Sequence, residues 1–508
     1  MSLQLLYWLT PLSQSQAALL SLGALITYQV LLVIYNLYFH PLAHFPGPRA
    51  AAATEIWLPY RELYKRESLS DLRIRLHKKY GDIIRIAPNE LHFARPTVYN
   101  EIYNMKNRWD KDYRLYRAFM LDTSSFATTS IAKSRQRRQV LSPLFSRAAI
   151  LRLQGVVWDR IVDLCAVLKE RKSSDLLFGF RAFTTDTITS FCFAQNFHTT
   201  LAPDFKAPLI VALENGLPSI TLRKYSAAAR WIMRTIPESF LLKHGPPSIT
   251  AALTFIGTLR QQIKEILRDP SVLQNTLHPI IYHELLSPEA NKGNALPDET
   301  ELLGEARVLF AAGSDTVGTA LMYAVYHLLQ NPSMHKRLEE ELHAAWPVLH
   351  ERLDFEALEK LPYLTAVIKE ALRVSPGTPA GLPRVVPSEG AMISGTRVPG
   401  GIVVSQSPIF VHQSEALFPN PSQFDPERWM QNDSGQLETY LVTFSKGPRS
   451  CLGINLAYCE LYLGLAAVVR TFEVRMDSTK LPDLSWREHF LPQFGGKHLH
   501  AFCTPRKE

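Results

Sequence analysis

The sequence predicts a mainly α-helical protein with small β-sheets, preceded by one N-terminal transmembrane helix. Three observations lead there. No Asp, Glu, Lys or Arg occurs before Arg49, and the stretch "AALLSLGALITYQVLLVIYNLYF" over residues 17–39 is predominantly apolar and carries no formal charge. Helical periodicity then dominates the chain, as at 150–172, 254–267, 333–346 and 361–374. Only two segments, 82–96 and 395–410, read as strand pairs.

The N-terminal run has the roughly 20 apolar residues that a bilayer span needs. A buried core helix is the plain alternative. A cleaved signal peptide fits less well, because the positive leader is missing and the run is too long. Residues 1–39 are therefore expected to be a membrane anchor. "HPLAHFPGPR" at 40–49 follows as a proline-rich hinge that cannot continue the helix. The first positive charges, Arg49, Arg61, Lys65 and Arg66, come after the span and place the body on the cytosolic side. Residues 50–508 show no linker, repeat or low-complexity tract and read as one large domain. In 82–96, Pro88-Asn89 is the expected turn; in 395–410, Pro399-Gly400-Gly401 is. The polar stretch 287–299 reads as a loop. Asp298, with Glu301 three residues on, has the form of an N-cap pair. It opens a long apolar helix that Asn331-Pro332 stops after Gln330.

Composition sets broad limits. The chain has 508 residues, 46% hydrophobic and 20% charged, which is ample for a large core. A net charge of +8 is spread along it and gives no nucleic-acid signal. The cysteines, Cys165, Cys192, Cys451, Cys459 and Cys503, contain no CxxC pair, so neither a disulfide framework nor a zinc ribbon is expected.

One cysteine is set apart. "FSKGPRSCLG" (444–453) places Cys451 between glycines, two residues after Arg449. Such a thiol can be a nucleophile, a metal ligand or a plain buried group. No local cysteine-protease signature surrounds it, and zinc needs more ligands at short spacing. A single axial thiolate on haem iron needs only one cysteine. The thiolate must then be stabilised. Gly447 and Gly453 let backbone N–H groups approach, and a helical pattern, "INLAYCELYLGLAAVVRTF", begins just beyond with its positive end toward the sulfur.

Phe444, Gly447, Arg449, Cys451 and Gly453 match FxxGxRxCxG, and the chain thereby resembles the cytochrome P-450 superfamily of haem-thiolate monooxygenases. The cytochrome P-450 fold is implied for residues 50–508. So is haem b, with Cys451 on the iron and Arg449 on a propionate. Other stretches agree with the resemblance. Glu370 and Arg373 of "KEALR" lie where the family has ExxR; Arg428 of "FDPERW" resembles the third member of its buried Glu-Arg-Arg network. Ala312, Gly313, Asp315 and Thr316 match AGxDT, where the glycine opens a dioxygen groove and Asp315 and Thr316 pass protons. The plain reading of Gly313 is close helix packing. Arg138 and Arg384 match further propionate contacts, but Ser134 stands where the family has Trp or His. "FSKGPRSCLGINLAYCELYL" and "AFTTDTITSFCFAQNF" look like fungal secondary-metabolism members similar to trichodiene oxygenases.

The resemblance implies a monooxygenase on the endoplasmic reticulum membrane, single-pass, that takes electrons from NADPH through cytochrome P-450 reductase and uses dioxygen. The sequon Asn432-Asp433-Ser434 then stays cytosolic and unglycosylated. Lys133, Arg135 and Arg137 read as a solvated face that can receive the reductase. Three segments are expected over the distal haem face: 113–126 with Tyr116, Phe119, Met120 and Phe126; 309–316 with Ala311 and Ala312; and 376–383. They imply an apolar terpenoid or polyketide-like substrate, with Arg114 and Arg117 facing solvent. Two other readings share the haem motif. An isomerase or dehydratase needing no external electrons is disfavoured by Asp315 and Thr316. A haem sensor is disfavoured because "AAGSDT" has no His or Met to fill the sixth iron position.

Overall fold

The computed structural model describes residues 13–349, 351–431 and 434–506. The first twelve residues of the expected anchor, and Asn432 and Asp433 of the sequon, lie outside the described residues.

Among the described residues two helices are long and apolar enough to cross a bilayer, and burial separates them. Gln14–Phe39 has a mean hydropathy of 2.2 and none of its apolar window buried; Glu299–Gln330 has 1.4 and 72% buried. The second is a core helix of the body. The hinge is fastened rather than free. Arg85 donates to the Asn36 carbonyl at 2.8 Å, its backbone N–H donates to Pro46, and Leu42 is fully buried. Gly47 lies so close to the Arg85 carbonyl that a Cβ would fall 2.4 Å from its oxygen.

The long helix is the axis of the body. Asp298 accepts from the Glu301 N–H at 2.8 Å, while the Glu301 side chain accepts from the Asp298 N–H at 3.2 Å. That reciprocal cap satisfies two orphan donors and fixes the start. Against it packs Leu176–Phe193, buried along its whole length although it carries Arg181, Asp186, Ser190 and four threonines. The Asp186 carboxylate is answered internally, accepting from the backbone and hydroxyls of Thr199 and Thr200. Arg147–Glu170 and Ile454–Thr471 complete the bundle. The remaining expected helices occur as Pro247–Arg268, Pro332–Ala345 and Pro362–Val374.

The sheets lie beside this bundle. Ile83–Ala87 and Glu90–Phe93 form the expected antiparallel hairpin. The other expected hairpin does not form. Thr396–Val398 pairs backward with Ala391–Ile393, and Val403–Ser405 joins Glu90–Phe93 in parallel and Arg384–Val385 antiparallel. The Pro399-Gly400-Gly401 turn redirects the chain from one sheet into another. Gly401 has φ +79°, and a Cβ at Gly400 would lie 2.5 Å from the Ser388 carbonyl oxygen. Two small sheets close the C-terminus: Trp486–His489 with Leu491–Phe494, and Ser174–Asp175, His500–Pro505 and Phe472–Met476.

Gly318 brings the long helix against Leu176–Phe193, where a Cβ would sit 2.8 Å from the Arg181 backbone nitrogen. Gly318→Ala is expected to destabilise by about 1–3 kcal/mol through overpacking. Gly216→Ala, in a helix with nothing within 4 Å of the new Cβ, should be neutral or stabilising by up to about 1 kcal/mol. Denaturant unfolding of the two variants checks the contrast.

Candidate active site

Cys451 closes a tight loop. Its N–H donates to the Phe444 carbonyl at 2.8 Å, and the Ile454–Thr471 helix begins three residues on. Gly447 is required twice over. Its φ is +75°, and a Cβ would fall 2.8 Å from the Asn104 carbonyl oxygen. Phe444 packs on Tyr458 at 5.2 Å between ring centres. No atom lies within 4 Å of a Cβ placed on Gly453, so the space beside the cysteine is open. Burial raises the Cys451 thiol above its ordinary value, while the Gly453 N–H and the charge of Arg138 favour the thiolate. The side chain is nevertheless exposed, so it borders an opening inside the protein.

The loop is held from below by one carboxylate. Glu370, fully buried, accepts from Arg373 at 2.7 and 2.9 Å, from Arg428 at 3.2 Å, from the Trp429 indole at 2.8 Å and from the Asp425 N–H at 2.9 Å. Arg373 spends its remaining donors on the carbonyls of His412, Pro421 and Gln423. Burial, aided by the charge of Arg373, lowers His412 to about 3, so its neutral ring accepts the Val442 N–H at 3.0 Å. Thr443 donates to the Leu372 carbonyl. The network thus reaches residues 442–443, at the root of the cysteine loop.

Above the loop stands a cluster of cations. Arg138 donates to the Ser450 carbonyl, and Arg449 to the carbonyls of Ser125 and Thr129. The Nε of Arg449 is buried with no partner. Arg384 is buried over the Tyr103 ring and donates only to the carbonyls of Leu382 and Pro383 among the described contacts of its guanidinium with backbone. Lys111, which sequence reasoning missed, is the fourth. Burial, with the charges of Arg449, Arg384 and Arg138, pushes it well below its ordinary value. Burial, and then the neighbouring Arg384, brings Arg449 down to about 10. None of the four forms an ion pair among the described residues. Like charges that are buried, as Lys111 and Arg384 are, or half-buried, as Arg138 and Arg449 are, are costly without counter-ions and fit a dianionic group such as the two haem carboxylates. Ser134 does not replace the absent Trp or His donor, because its hydroxyl is committed to the Ser125 carbonyl at 2.9 Å.

Ser125 is itself fixed by the long helix. Its N–H and hydroxyl both donate to buried Glu305, at 2.6 and 2.9 Å. Further along that helix, Ala312 is exposed although the helix is otherwise mostly buried, so it too faces an internal opening. Thr316 is half-buried and donates to the Ala312 carbonyl at 3.1 Å. Two expectations are corrected. The Cβ position of Gly313 is filled by Ile188, 2.7 Å away, so this glycine serves helix packing and the open face belongs to Ala312. Asp315 does not stand with Thr316: its carboxylate lies 2.6 Å from Arg181, which also reaches Glu214 at 3.4 Å. Neighbouring helical residues point about 100° apart, so the two cannot share a face. Arg114 and Arg117 also differ from expectation. Arg114 is paired with Glu55, Glu90 and Asp112, and half-buried Arg117 covers the Tyr113 ring. Tyr116, Phe119 and Phe126 form an aromatic cluster, joined by Phe490 from the C-terminal hairpin.

Glu370→Ala would leave Arg373 and Arg428 buried and unpaired. It should destabilise by about 3–5 kcal/mol, read as lost yield or a lower unfolding midpoint. Burial raises Glu305 to about 7 from its ordinary 4.5, against the pull of Ser125 and Arg137. The folded protein therefore holds a proton there that the unfolded chain has released between those values. Stability should fall as pH rises from about 4.5 to about 7. Glu305→Gln should flatten that slope in thermal melts.

A family profile for cytochrome P-450 matches residues 48–496. The chain is 34% identical to the cytochrome P-450 monooxygenase flvC of Aspergillus flavus, over 97% of this chain and 97% of that protein. It is 32% identical to macH of Penicillium terrestre, over 96% and 98% respectively. It is 34% identical to MO6277 of Ascocoryne sarcoides, over 93% and 95%. Both are likewise cytochrome P-450 monooxygenases. With a cysteine loop, a buried carboxylate network beneath it and a cation cluster above it, the chain belongs to the cytochrome P-450 family of oxygen-incorporating oxidoreductases, whose cofactor is haem iron.

Proposed function

We propose that the protein is a membrane-anchored monooxygenase that inserts one atom of dioxygen into an apolar small molecule. The substrate class is a terpenoid or similar polycyclic secondary metabolite, and the electrons come from NADPH through cytochrome P-450 reductase. The observation that carries the reading is the meeting of an open-faced Cys451 with four basic side chains, Lys111 and Arg384 buried and Arg138 and Arg449 half-buried, that form no ion pair among the described residues. Cys451 would hold the iron of haem b; Arg138, Arg384, Arg449 and Lys111 would hold its carboxylates. Bound there, the haem supplies dioxygen activation.

The chain's own groups do the rest. The Gly453 N–H and the start of the Ile454–Thr471 helix hold negative charge on sulfur. Thr316 keeps its proton at the Ala312 carbonyl, beside the open face. Asp315 contributes a proton only when its carboxylate is released from Arg181. The rings of Tyr116, Phe119, Phe126 and Phe490 exclude water and offer an apolar wall. Lys133 and Arg135 are exposed and form the basic face for a reductase; Arg137 is not part of it, being paired with Glu301 at 3.0 Å. The bare, apolar Gln14–Ile34 helix supports a single-pass anchor, with the body in the cytosol at the endoplasmic reticulum.

Reduced wild-type protein with carbon monoxide should absorb at the thiolate position. Cys451→Ala should lose haem or lose that band, whereas Cys459→Ala should keep both; a haem-loaded, fully active Cys451→Ala protein refutes the assignment. Removing residues 1–34 should release the protein from membranes with its unfolding midpoint intact. Cutting to residue 45 also removes buried Asn36, Leu42 and Phe45, and should lower the midpoint.

A further inference from the structure

A polar cleft borders the aromatic wall that Phe490 completes. It opens between the Pro208–Tyr225 helix, the Trp486–Phe494 hairpin and Ala380-Gly381. One side is apolar, formed by Leu115, Ile220, Ala380 and Phe490. The Phe490 ring lies 4.8 Å from Phe119 and 5.9 Å from Phe126, centre to centre. Phe119 and Phe126 pack in turn with Val308 and Leu309, about one turn of the long helix before Ala312. Phe490 therefore belongs both to the apolar side of the cleft and to the aromatic cluster that packs toward the long helix.

The other side is polar and balanced in charge. Glu62 accepts from the Tyr225 hydroxyl at 2.6 Å and from Lys224 at 3.3 Å. Glu488 accepts from Arg73 at 3.1 and 3.2 Å and from Ser70. Two cations meet two carboxylates within the wall, so neither an anionic nor a cationic ligand finds an unpaired counter-ion. Between these pairs, Thr221 Oγ1 lies 2.7 Å from His489 Nδ1 and 3.3 Å from Glu62 Oε1. Burial, with the charge of Arg487, lowers His489 to about 4, so the ring is neutral near pH 7. Only Nδ1 has a hydrogen-bond partner among the described residues, which leaves Nε2 to the cleft. The open space admits a water-sized group and not a ring.

We propose that this cleft binds a neutral hydroxyl group carried by the apolar substrate, away from the carbon that is oxygenated, with His489 and Thr221 as specificity-determining residues. The inference rests on the apolar-substrate reading and refines it. A hydroxyl both donates and accepts, so it satisfies either tautomer of the imidazole. A carboxylate or an amine would be buried there without a counter-ion of its own. The substrate then arrives already oxygenated, and the reaction class that supplies it is an earlier hydroxylation or carbonyl reduction.

The test uses the haem-loaded full chain and pairs of rigid terpenes that differ by one hydroxyl: borneol with bornane, and cedrol with cedrane. Binding is read both as the shift of the iron toward high spin and by calorimetry. At least one alcohol should bind about tenfold more tightly than its hydrocarbon, the scale of one well-made buried hydrogen bond. His489→Ala and Thr221→Val should remove that preference while leaving hydrocarbon affinity and the carbon monoxide band unchanged. His489→Gln should restore part of it. Equal binding within both pairs, absence of binding by all four compounds, or a preference that survives both variants overturns the proposal. A missing carbon monoxide band in the wild type would instead overturn the haem-thiolate reading beneath it, so the two failures are distinct.

Discussion

The Glu370 carboxylate is the interaction on which the proximal half of the protein depends. It receives two guanidinium groups, an indole N–H and a backbone N–H in a region closed to water. A buried carboxylate is tolerable only with such company. The benefit is geometric. Arg373, held by Glu370, pins three carbonyls of the 412–423 segment and helps to keep His412 neutral. A neutral His412 can accept from Val442, and the loop that ends in Cys451 starts there. The position of one sulfur is thus set by a charge pair many residues away, through a chain of hydrogen bonds with no slack member.

The opposite charge logic rules above the cysteine. Lys111, Arg138, Arg384 and Arg449 are brought together with carbonyls but without carboxylates. Burial first of all disfavours the charges of Lys111, Arg138 and Arg449. On the proposed reading a dianionic cofactor would offset that cost, and its binding would then add to stability. Glu305 and Ser125 hold part of this cluster from the long helix: Ser125 accepts from Arg449 and Ser134 while donating to Glu305. The same helix therefore orders part of the cation cluster and, two turns on, the open face at Ala312.

On the distal side, polarity is graded. The aromatic layer of Tyr116, Phe119, Phe126 and Phe490 is apolar toward the long helix, whereas the cleft behind Phe490 is polar and neutral overall. Burial by itself binds apolar molecules with little preference for orientation. One hydrogen-bonding group at the far end converts burial into orientation, because its misplacement leaves a polar group unpaired.

Much of this was legible in the sequence because it depends on local pattern. The exposed N-terminal helix follows from an uncharged apolar run, the long helix from the Asp298–Glu301 cap and the Asn331-Pro332 stop, and the first hairpin from its Pro88-Asn89 turn. The cysteine loop was marked by its two glycines, but of these only Gly453 presents its N–H to the sulfur, whereas Gly447 serves a left-handed turn packed on Asn104. What tertiary structure alone decided are questions of which neighbour lies across a gap. The turn at Gly400-Gly401 looks local, yet whether its strands pair with each other or with distant partners is set by sheet packing. Gly313 fits either a groove or a close contact until Ile188 is seen beside it. Asp315 and Thr316 are adjacent in sequence but lie on different sides of a helix, and Arg181 claims the first. Lys111, Thr221 and His489 carry no motif at all. Their chemistry arises from burial and from partners hundreds of residues away, and neither can be read from the residues beside them.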